Sequence, residues 1–263
     1  MFQNKGFQAL IILVMLLALT SISCGVSGLP FLATETPIPT ATFTPSPTPT
    51  PSSTPTLIPT ATRPSTGLQT EEQADGSSLI TDHDNQFRFV MAGGWTVIPL
   101  SAEDLSDIMS ELAKKNPELA GTAELFKQLD PDVFRVIAVN NDPRYIVNGY
   151  ATNLNVAALE DKLASSMPVG LLANGLKESF AQSGAINITS ESRTNSKGVE
   201  IGIIEFTQSA PTYTGASVEV RSRVIIFQVN GKLIMITLAT PLQFGEEVFA
   251  SLGDLAETIE IIK

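Results

Sequence analysis

The sequence has one cysteine, Cys24, and one histidine, His83, in 263 residues. A single cysteine cannot form an intramolecular disulfide, so the folded part must be stabilised by burial of apolar side chains. A single histidine excludes a histidine-rich metal site, and a Ser-His-Asp triad would have to use His83. Because His83 lies between Asp82 and Asp84 in a polar stretch, we expect a solvated turn there. We predict no catalytic residues, no metal site and no cofactor.

Positive charge is scarce, with 16 Lys and Arg against 27 Asp and Glu and a net charge of −11. From Leu79 onward the count is 14 against 23, so this part of the chain carries about −9. An acidic surface repels the phosphates of DNA and RNA, and no stretch of the sequence concentrates basic residues. We therefore predict no nucleic-acid partner and expect the charge to keep the folded part in solution.

An uncharged apolar run occupies residues 9–19 and follows a single cation, Lys5. About 11 residues at ~1.5 Å each are too short to cross roughly 30 Å of hydrocarbon. This length is typical of the apolar part of a secretory signal peptide. Small polar residues, including Thr20, Ser21 and Ser23, then lead to Cys24.

This order resembles the signal of bacterial lipoproteins, in which a cysteine directly follows a small residue at the cleavage site. The resemblance implies that residues 1–23 are removed, that the Cys24 thiol receives diacylglycerol, and that the new amino group is acylated, for example with palmitate. The mature chain would then be anchored to the extracytoplasmic face of the cell membrane. An uncleaved signal anchor and an ordinary signal peptide cut elsewhere stay open as alternatives.

A segment rich in proline and threonine separates the signal from the rest of the chain. Residues 34–66 include 9 prolines, 12 threonines and 4 serines. Proline removes backbone donors and fixes φ, and the segment has too little apolar surface to form a core. We predict that residues 24–78 are a disordered, partly polyproline-II linker between the lipid and the domain. Its composition also resembles O-glycosylated stalks, with an unmodified linker as the alternative.

Residues 79–263 have the composition and the length of a single folded domain. Period-two alternation predicts strands in residues 87–91 and 150–156, and a further strand is predicted in residues 133–139. Helical spacing of apolar residues predicts two helices within residues 101–129, each bounded by proline.

The C-terminal third has the clearest pattern. A helical region interrupted near Pro168 is followed by four strands and a last helix. The predicted ranges are 159–183 for the helical region, 186–193, 199–206, 218–229 and 232–240 for the strands, and 244–258 for the last helix. Asn230-Gly231 is a type I′ hairpin signal, because both residues tolerate positive φ. Consecutive hairpins with separate helices predict an α+β domain, a central antiparallel sheet flanked by helices.

One motif in this domain resembles a known family. The stretch Phe87-x-Phe89-x-x-Ala92-x-Gly94-Trp95 is similar to the F-x-F-x-x-P-x-G-W opening of PsbP-like domains, with alanine in place of the usual proline. The resemblance covers residues 79–263 and implies an antiparallel sheet between helical layers. The family includes photosystem-associated proteins, a Ran-binding nuclear protein and bacterial lipoproteins. It therefore implies binding to another protein rather than turnover.

Two groups of residues are candidates for contact with a partner. Tyr145 and Tyr213 lie at the tips of predicted loops, where we expect exposed side chains, and tyrosine is well suited to interfaces. We therefore predict a ligand-binding or partner-binding role for both. Arg221 and Arg223 share a strand face with Glu219. That face could be an anion or partner site, but a solvated sheet face with cross-strand ion pairs is the favoured interpretation.

The leading functional hypothesis is a non-catalytic lipoprotein domain that binds or positions another envelope component. A small-ligand carrier with a cleft between sheet and helices is the alternative. A hydrolase is a less favoured third possibility, because no G-x-S-x-G elbow occurs in the sequence.

Overall fold

The computed structural model describes residues 67–99, 114, 133–160, 166–212 and 216–262. In chain order the strands are β1 (Leu68–Glu72), β2 (Ser78–Asp82), β3 (Phe87–Met91), β4 (Trp95–Pro99), β5 (Phe134–Asn140), β6 (Ile146–Val147), β7 (Tyr150–Ala151), β8 (Asn153–Leu159), β9 (Ile186–Thr194), β10 (Glu200–Pro211), β11 (Ser217–Val229), β12 (Lys232–Pro241) and β13 (Glu260–Ile261). The α-helices are α1 (Val169–Gln182), α2 (Gly245–Ser251) and α3 (Leu255–Thr258). Short 3₁₀ helices span Pro143–Tyr145 and Leu242–Phe244.

These strands form two main sheets, in which every described pair is antiparallel. The larger sheet has seven strands in the order β4-β5-β8-β12-β11-β10-β9. The smaller has four strands in the order β1-β2-β3-β13, and β6 pairs with β7 in a separate ribbon. Hairpins join β9 to β12 in succession. The turn between β11 and β12 has positive φ at Asn230 and Gly231, as its sequence predicts.

The small sheet covers one face of the large sheet. Phe87 and Phe89 of β3 are buried, and the Phe87 ring meets Phe227 of β11 edge-on at a centroid distance of 5.4 Å. Apolar residues of α2 and α3, including Phe249 and Leu255, belong to the same core cluster. The alternation of apolar residues along β3 and β11 therefore places their large side chains between the two sheets.

The other face of the large sheet carries α1. Buried residues of α1 recur at helical spacing, so that Val169, Leu172, Leu176 and Phe180 lie in one stripe. The Phe180 ring stacks on Phe206 of β10 at a centroid distance of 4.3 Å. The result is a layered α+β domain, in which a central antiparallel sheet is flanked by helices. The predicted fold class is confirmed.

Three details differ from the predictions. β1 lies inside the predicted linker, so the predicted start of the domain at residue 79 is too late; β1 is polar, and its pairing with β2 was invisible in its own pattern. β8 continues to Leu159, which was assigned to a helical region. The last helix is interrupted after Ser251 and is followed by β13, which pairs with β3.

The predicted helices within residues 101–129 lie outside the described residues, apart from a helical Lys114. In the parts of the chain that the structure describes, no helix combines the length and the apolar character needed to cross a bilayer.

Candidate functional site

A groove lies between strands β9, β10 and β11 of the seven-stranded sheet on one side and α2 and the start of α3 on the other. Its volume is about 420 Å³, and ligand sites are typically ~300–1,000 Å³. Three arginines line it: Arg193, Arg221 and Arg223. The whole sequence has seven arginines, so this groove concentrates nearly half of them in an acidic protein. We call it the arginine groove.

Strand β11 places Arg221 and Arg223 on one face, because residues two apart in a strand point the same way. Glu205 of β10 lies directly opposite Arg223 in the antiparallel register. The Nε–H of Arg223 donates to Oε1 of Glu205 at 2.8 Å, and an Nη2–H of Arg221 donates to its Oε2 at 2.8 Å. Two guanidinium groups therefore share a single carboxylate, which is a cross-strand ion pair of the kind the sequence favoured.

Phe249 of α2 supports both arginines. The guanidinium carbons of Arg223 and Arg221 lie 4.4 Å and 5.0 Å from the centroid of its ring. These distances are within the ~6 Å range in which a cation is attracted to an aromatic face. Because the Phe249 ring is buried in the core between the two sheets, it gives the arginines a fixed platform.

The first residues of α2 shape the Arg221 side of the groove. A Cβ at Gly245 would lie 2.8 Å from Cδ of Arg221, so the absence of a side chain there lets the arginine stem pass. The next residue, Glu246, forms an ion pair with the Arg221 guanidinium. The Glu246 side chain is 92% exposed, whereas that of Glu205 is 21% exposed. Arg221 is thus held by one half-buried carboxylate and one that lies almost entirely in water.

Arg193 of β9 forms the opposite wall. Its guanidinium pairs with Asp254 and Glu257, and it lies 3.9 Å from Glu191. Glu257 also accepts a hydrogen bond from the backbone N–H of Ser196 at 2.8 Å. This backbone hydrogen bond, together with Arg193, holds the pKa of the Glu257 carboxyl below its ordinary value. The Arg193 wall therefore carries more negative than positive charge.

Glu205 stays ionised between its two arginines. Its partial burial by itself would raise the pKa of its carboxyl, but the hydrogen bonds from Arg221 and Arg223 outweigh that effect and lower the pKa below 4.5. The hydrogen bonds from the two guanidinium groups to Glu205 are charge-assisted and are therefore stronger than hydrogen bonds between neutral groups. The arrangement can bind an anionic group by contact with the accessible parts of Arg221 and Arg223.

A second cluster of charged residues lies around Arg135 and has a different character. Arg135 is 9% exposed and its Nε–H donates to Oδ2 of the fully buried Asp82 at 2.9 Å. Its Nη2–H donates to Oδ2 of Asp84 at 2.7 Å. Asn85 also donates to Asp82 from its backbone and from its side chain. This cluster is closed to solvent on the Asp82 side, so we assign it a structural role.

The predicted contact residue Tyr145 is not at an exposed loop tip. It is buried, with 7% of its surface exposed, and its ring meets Phe244 edge-on at 5.2 Å. Its hydroxyl donates to Oε1 of Glu247 at 2.6 Å. The exposure from which its binding role was predicted is therefore wrong. The reason is that Phe244 and Glu247, about 100 residues away in the sequence, fold over the loop.

The other predicted site residues lie elsewhere in the chain. Cys24 and Tyr213 are outside the described residues, so their roles stay predictions. His83 lies in a turn, as expected, but it is partly buried, and its Nε2 is 3.4 Å from Oε1 of Gln69. In residues 67–99, 133–160, 166–212 and 216–262, no three His, Cys, Asp or Glu side chains are grouped so that they could hold a metal ion.

Sequence reasoning found two residues of the arginine groove, Arg221 and Arg223, and missed the others. Their spacing of two within a strand was the signal that identified a shared face. Arg193, Glu205 and Phe249 come from three other elements, and no local pattern connects them to β11. The hairpin register between β10 and β11 was the available signal for Glu205.

Comparisons with known proteins concern the fold alone. No protein-family model matches the chain, and no curated protein matches it. Similar folds occur among solved structures. The cyanobacterial PsbP protein (CyanoP) of Synechocystis sp. PCC 6803 has 14% identity and a TM-score of 0.40, with 78% of this chain and 98% of that chain covered.

Two other solved structures are similar to a comparable degree. The Ran-binding protein Mog1p of Saccharomyces cerevisiae has 12% identity and a TM-score of 0.39, with 72% of this chain and 97% of that chain covered. LpqN of Mycobacterium tuberculosis, which is involved in cell envelope biogenesis, has 10% identity and a TM-score of 0.36, with 74% and 91% covered. At these low identities and TM-scores, the similarities carry no functional conclusion to this chain.

Proposed function

We propose that this protein is a membrane-anchored envelope lipoprotein whose exported domain binds another envelope component without catalysis, and that the arginine groove is the binding surface. The observation that supports this most directly is the pair Arg221 and Arg223. Both rest on Phe249, share Glu205, and are about one quarter exposed. Arginine and aromatic residues fixed in this way are typical of the residues that dominate binding energy at protein interfaces.

The membrane anchor is supported by the N-terminal sequence. The apolar run of residues 9–19 and the small residues before Cys24 have the order of a lipoprotein signal. Two or three acyl chains would give stable attachment, whereas one chain alone binds a membrane only marginally. The proline-rich linker would then hold the domain away from the membrane surface.

The anchor is tested by expressing the full chain in a bacterial host that processes lipoproteins, with labelled palmitate in the medium. Wild-type protein should carry the label and sediment with membranes, and Cys24→Ala should lose both properties. Ser23→Ala is the matched control, because it keeps a small residue before Cys24 and should retain the label. Undiminished labelling of Cys24→Ala would rule out this anchor.

The binding surface is tested by cross-linking the full chain in its native membranes and quantifying the co-purified proteins. A partner recovered with wild-type protein should be lost with the double variant Arg221→Gln, Arg223→Gln. Arg144→Gln is the control, because Arg144 is 66% exposed and lies outside the groove. Equal recovery with the double variant and the wild type would exclude the arginine groove as the binding surface.

One observation favours a small-ligand carrier as the second candidate. The groove lies between a sheet face and a helix, and its volume of about 420 Å³ is large enough for a small molecule. A carrier should show a rise in melting temperature when the full chain in detergent is screened against small organic anions. A flat response across that screen, alongside a protein partner that depends on Arg221 and Arg223, would eliminate the carrier.

A further inference from the structure

We propose that the arginine groove recognises a single carboxylate side chain on a protein partner, and that this carboxylate displaces Glu246 from Arg221. The inference rests on the proposed function, because it names the chemistry by which the groove binds. The partner is thus a protein segment with an isolated Asp or Glu, rather than a phosphorylated or strongly acidic one.

The two carboxylates that contact Arg221 differ in how firmly they are held. Glu205 is 21% exposed, lies in the middle of β10, and accepts hydrogen bonds from both arginines. Glu246 is 92% exposed and reaches Arg221 from the first turn of α2. An ion pair made almost entirely in water contributes little, because solvent screens it and the long side chain loses rotamer freedom. Glu246 is therefore the exchangeable partner and Glu205 the permanent one.

The position of Glu246 also shows what kind of group fits. Its carboxylate already occupies a place against the Arg221 guanidinium, next to the platform of Phe249. A carboxylate of a docked segment would make the same charge-assisted contact and could reach Arg223, which is also about one quarter exposed. The groove would bind by replacing an internal ion pair with an intermolecular one.

The charge balance of the groove argues for one carboxylate and against a phosphate or a run of acidic residues. Three arginines line the groove, and four carboxylates line it with them, those of Glu191, Glu205, Glu246 and Asp254. A site built for a doubly charged phosphate needs an excess of positive charge. Here the Arg193 wall would repel additional negative charge, whereas a single carboxylate at Arg221 simply takes the place of Glu246.

The test uses a library of random twelve-residue peptides, selected for binding to the full chain in detergent micelles. We expect the enriched peptides to share one acidic residue. Replacing that residue by its amide should weaken binding at least about tenfold, because a hydrogen bond to a charged group is lost. Peptides with no common acidic residue, or an amide version that binds equally well, would overturn the proposal.

Glu246→Gln supplies the decisive variant, since an exposed side chain can be changed without disturbing the fold. We expect it to tighten binding of the selected peptide about two- to fivefold, because the internal competitor is removed. Glu247→Gln removes the same charge from the adjacent residue, whose side chain contacts Tyr145 instead, and should leave the affinity unchanged. An equal gain in both variants would mean long-range repulsion, which contradicts displacement.

Two further arms separate this inference from the proposed function. If Arg221→Gln with Arg223→Gln leaves peptide binding unchanged, the groove is not the binding surface and both proposals fail. If that double variant abolishes binding while Glu246→Gln has no effect, the groove binds but the displacement is wrong. Inorganic phosphate should compete no better than acetate at equal ionic strength, and stronger competition by phosphate would overturn the preference for a carboxylate.

Discussion

The cluster around Arg135 and the arginine groove use the same chemistry in different surroundings. Arg135 is 9% exposed, and Asp82 beside it is completely buried. Arg221 and Arg223 are 26% and 25% exposed and share Glu205, which is itself partly accessible. Arg135 is committed to the fold through Asp82, because a fully buried carboxylate cannot be exchanged for water or ligand. An arginine at the solvent boundary with a shared carboxylate can exchange its second partner.

The cluster around Arg135 also holds Gly67, the first residue that the structure describes. The backbone N–H of Gly67 donates to Oδ1 of Asp84 at 2.9 Å, and Asp84 pairs in turn with Arg135 of β5. The carbonyl of Gly67 accepts from the backbone N–H of His83 at 2.9 Å. Gly67, which lies inside the predicted linker, is therefore tied through Asp84 to the seven-stranded sheet.

The largest expected loss of stability comes from breaking the cluster around Arg135. Arg135→Gln should lower the free energy of unfolding by about 3–5 kcal/mol, because the charge of Asp82 is then buried without its partner. Urea unfolding of the full chain in detergent measures the change. Arg144→Gln, at an exposed ion pair, is the control and should cost no more than about 1 kcal/mol. A loss for Arg135→Gln as small as the control would show that the buried pair is not structurally important.

In the arginine groove, Arg223→Gln should weaken binding strongly and lower stability only slightly. We expect a stability loss of only about 1–2 kcal/mol, because its ion pair with Glu205 is partly solvated and its contact with Phe249 is weak. Binding to the selected peptide or to an identified partner should weaken at least about tenfold. Unfolding and binding measurements on the same preparation test both. A stability loss equal to that of Arg135→Gln would remove the distinction between the two clusters.

Acid should destabilise the cluster around Arg135 by protonating the Asp84 carboxylate. The hydrogen bond from the Gly67 N–H, and then the contact with Arg135, hold the pKa of the Asp84 carboxyl in the folded state below 3.8, although burial opposes them. A carboxyl with a depressed folded pKa contributes stability that is complete above its unfolded pKa and is lost as the pH falls through the folded value. The pH range in which this stability is lost therefore lies below about pH 4.

Asp84→Asn tests this pH dependence. The variant should be less stable than the wild type at neutral pH, and the difference between the two should shrink as the pH falls below about 4. Unfolding free energies measured across that window give the comparison. Parallel curves for the two proteins would show that Asp84 does not contribute to acid sensitivity.

Gly245→Ala should produce the smallest effect on stability and still perturb the groove. Gly245 is the first residue of α2 and has helical dihedrals, so alanine should change the free energy of unfolding by no more than about 1 kcal/mol. The new Cβ would lie 2.8 Å from Cδ of Arg221 and should push that side chain from its place. Binding to the selected peptide should weaken severalfold. Unchanged binding would show that the position of Arg221 is not important.

Local patterns predicted much of the fold. Period-two alternation predicted β3, in which buried and partly buried side chains alternate, and runs of strand-forming residues bounded by turns predicted β5 and the strands β9 to β12. The Asn230-Gly231 turn was also predicted, since few residue pairs tolerate its dihedrals. The break between α2 and α3 and the polar strand β1 were missed. β1 was missed because its polar sequence shows no apolar alternation, although it pairs with its neighbour β2. The end of the last helix was missed because β13 depends on pairing with the distant β3.

Of the site, the sequence by itself determined that Arg221 and Arg223 share one face of a strand, because side-chain direction in a strand depends only on spacing. Only the tertiary structure decided what surrounds them. Glu205 arrives through strand register, and Phe249 through the packing of a helix on the sheet. The same long-range packing buried Tyr145, which its local sequence placed on the surface. Contacts between elements follow from how the whole core is filled, and no window of neighbouring residues contains that information.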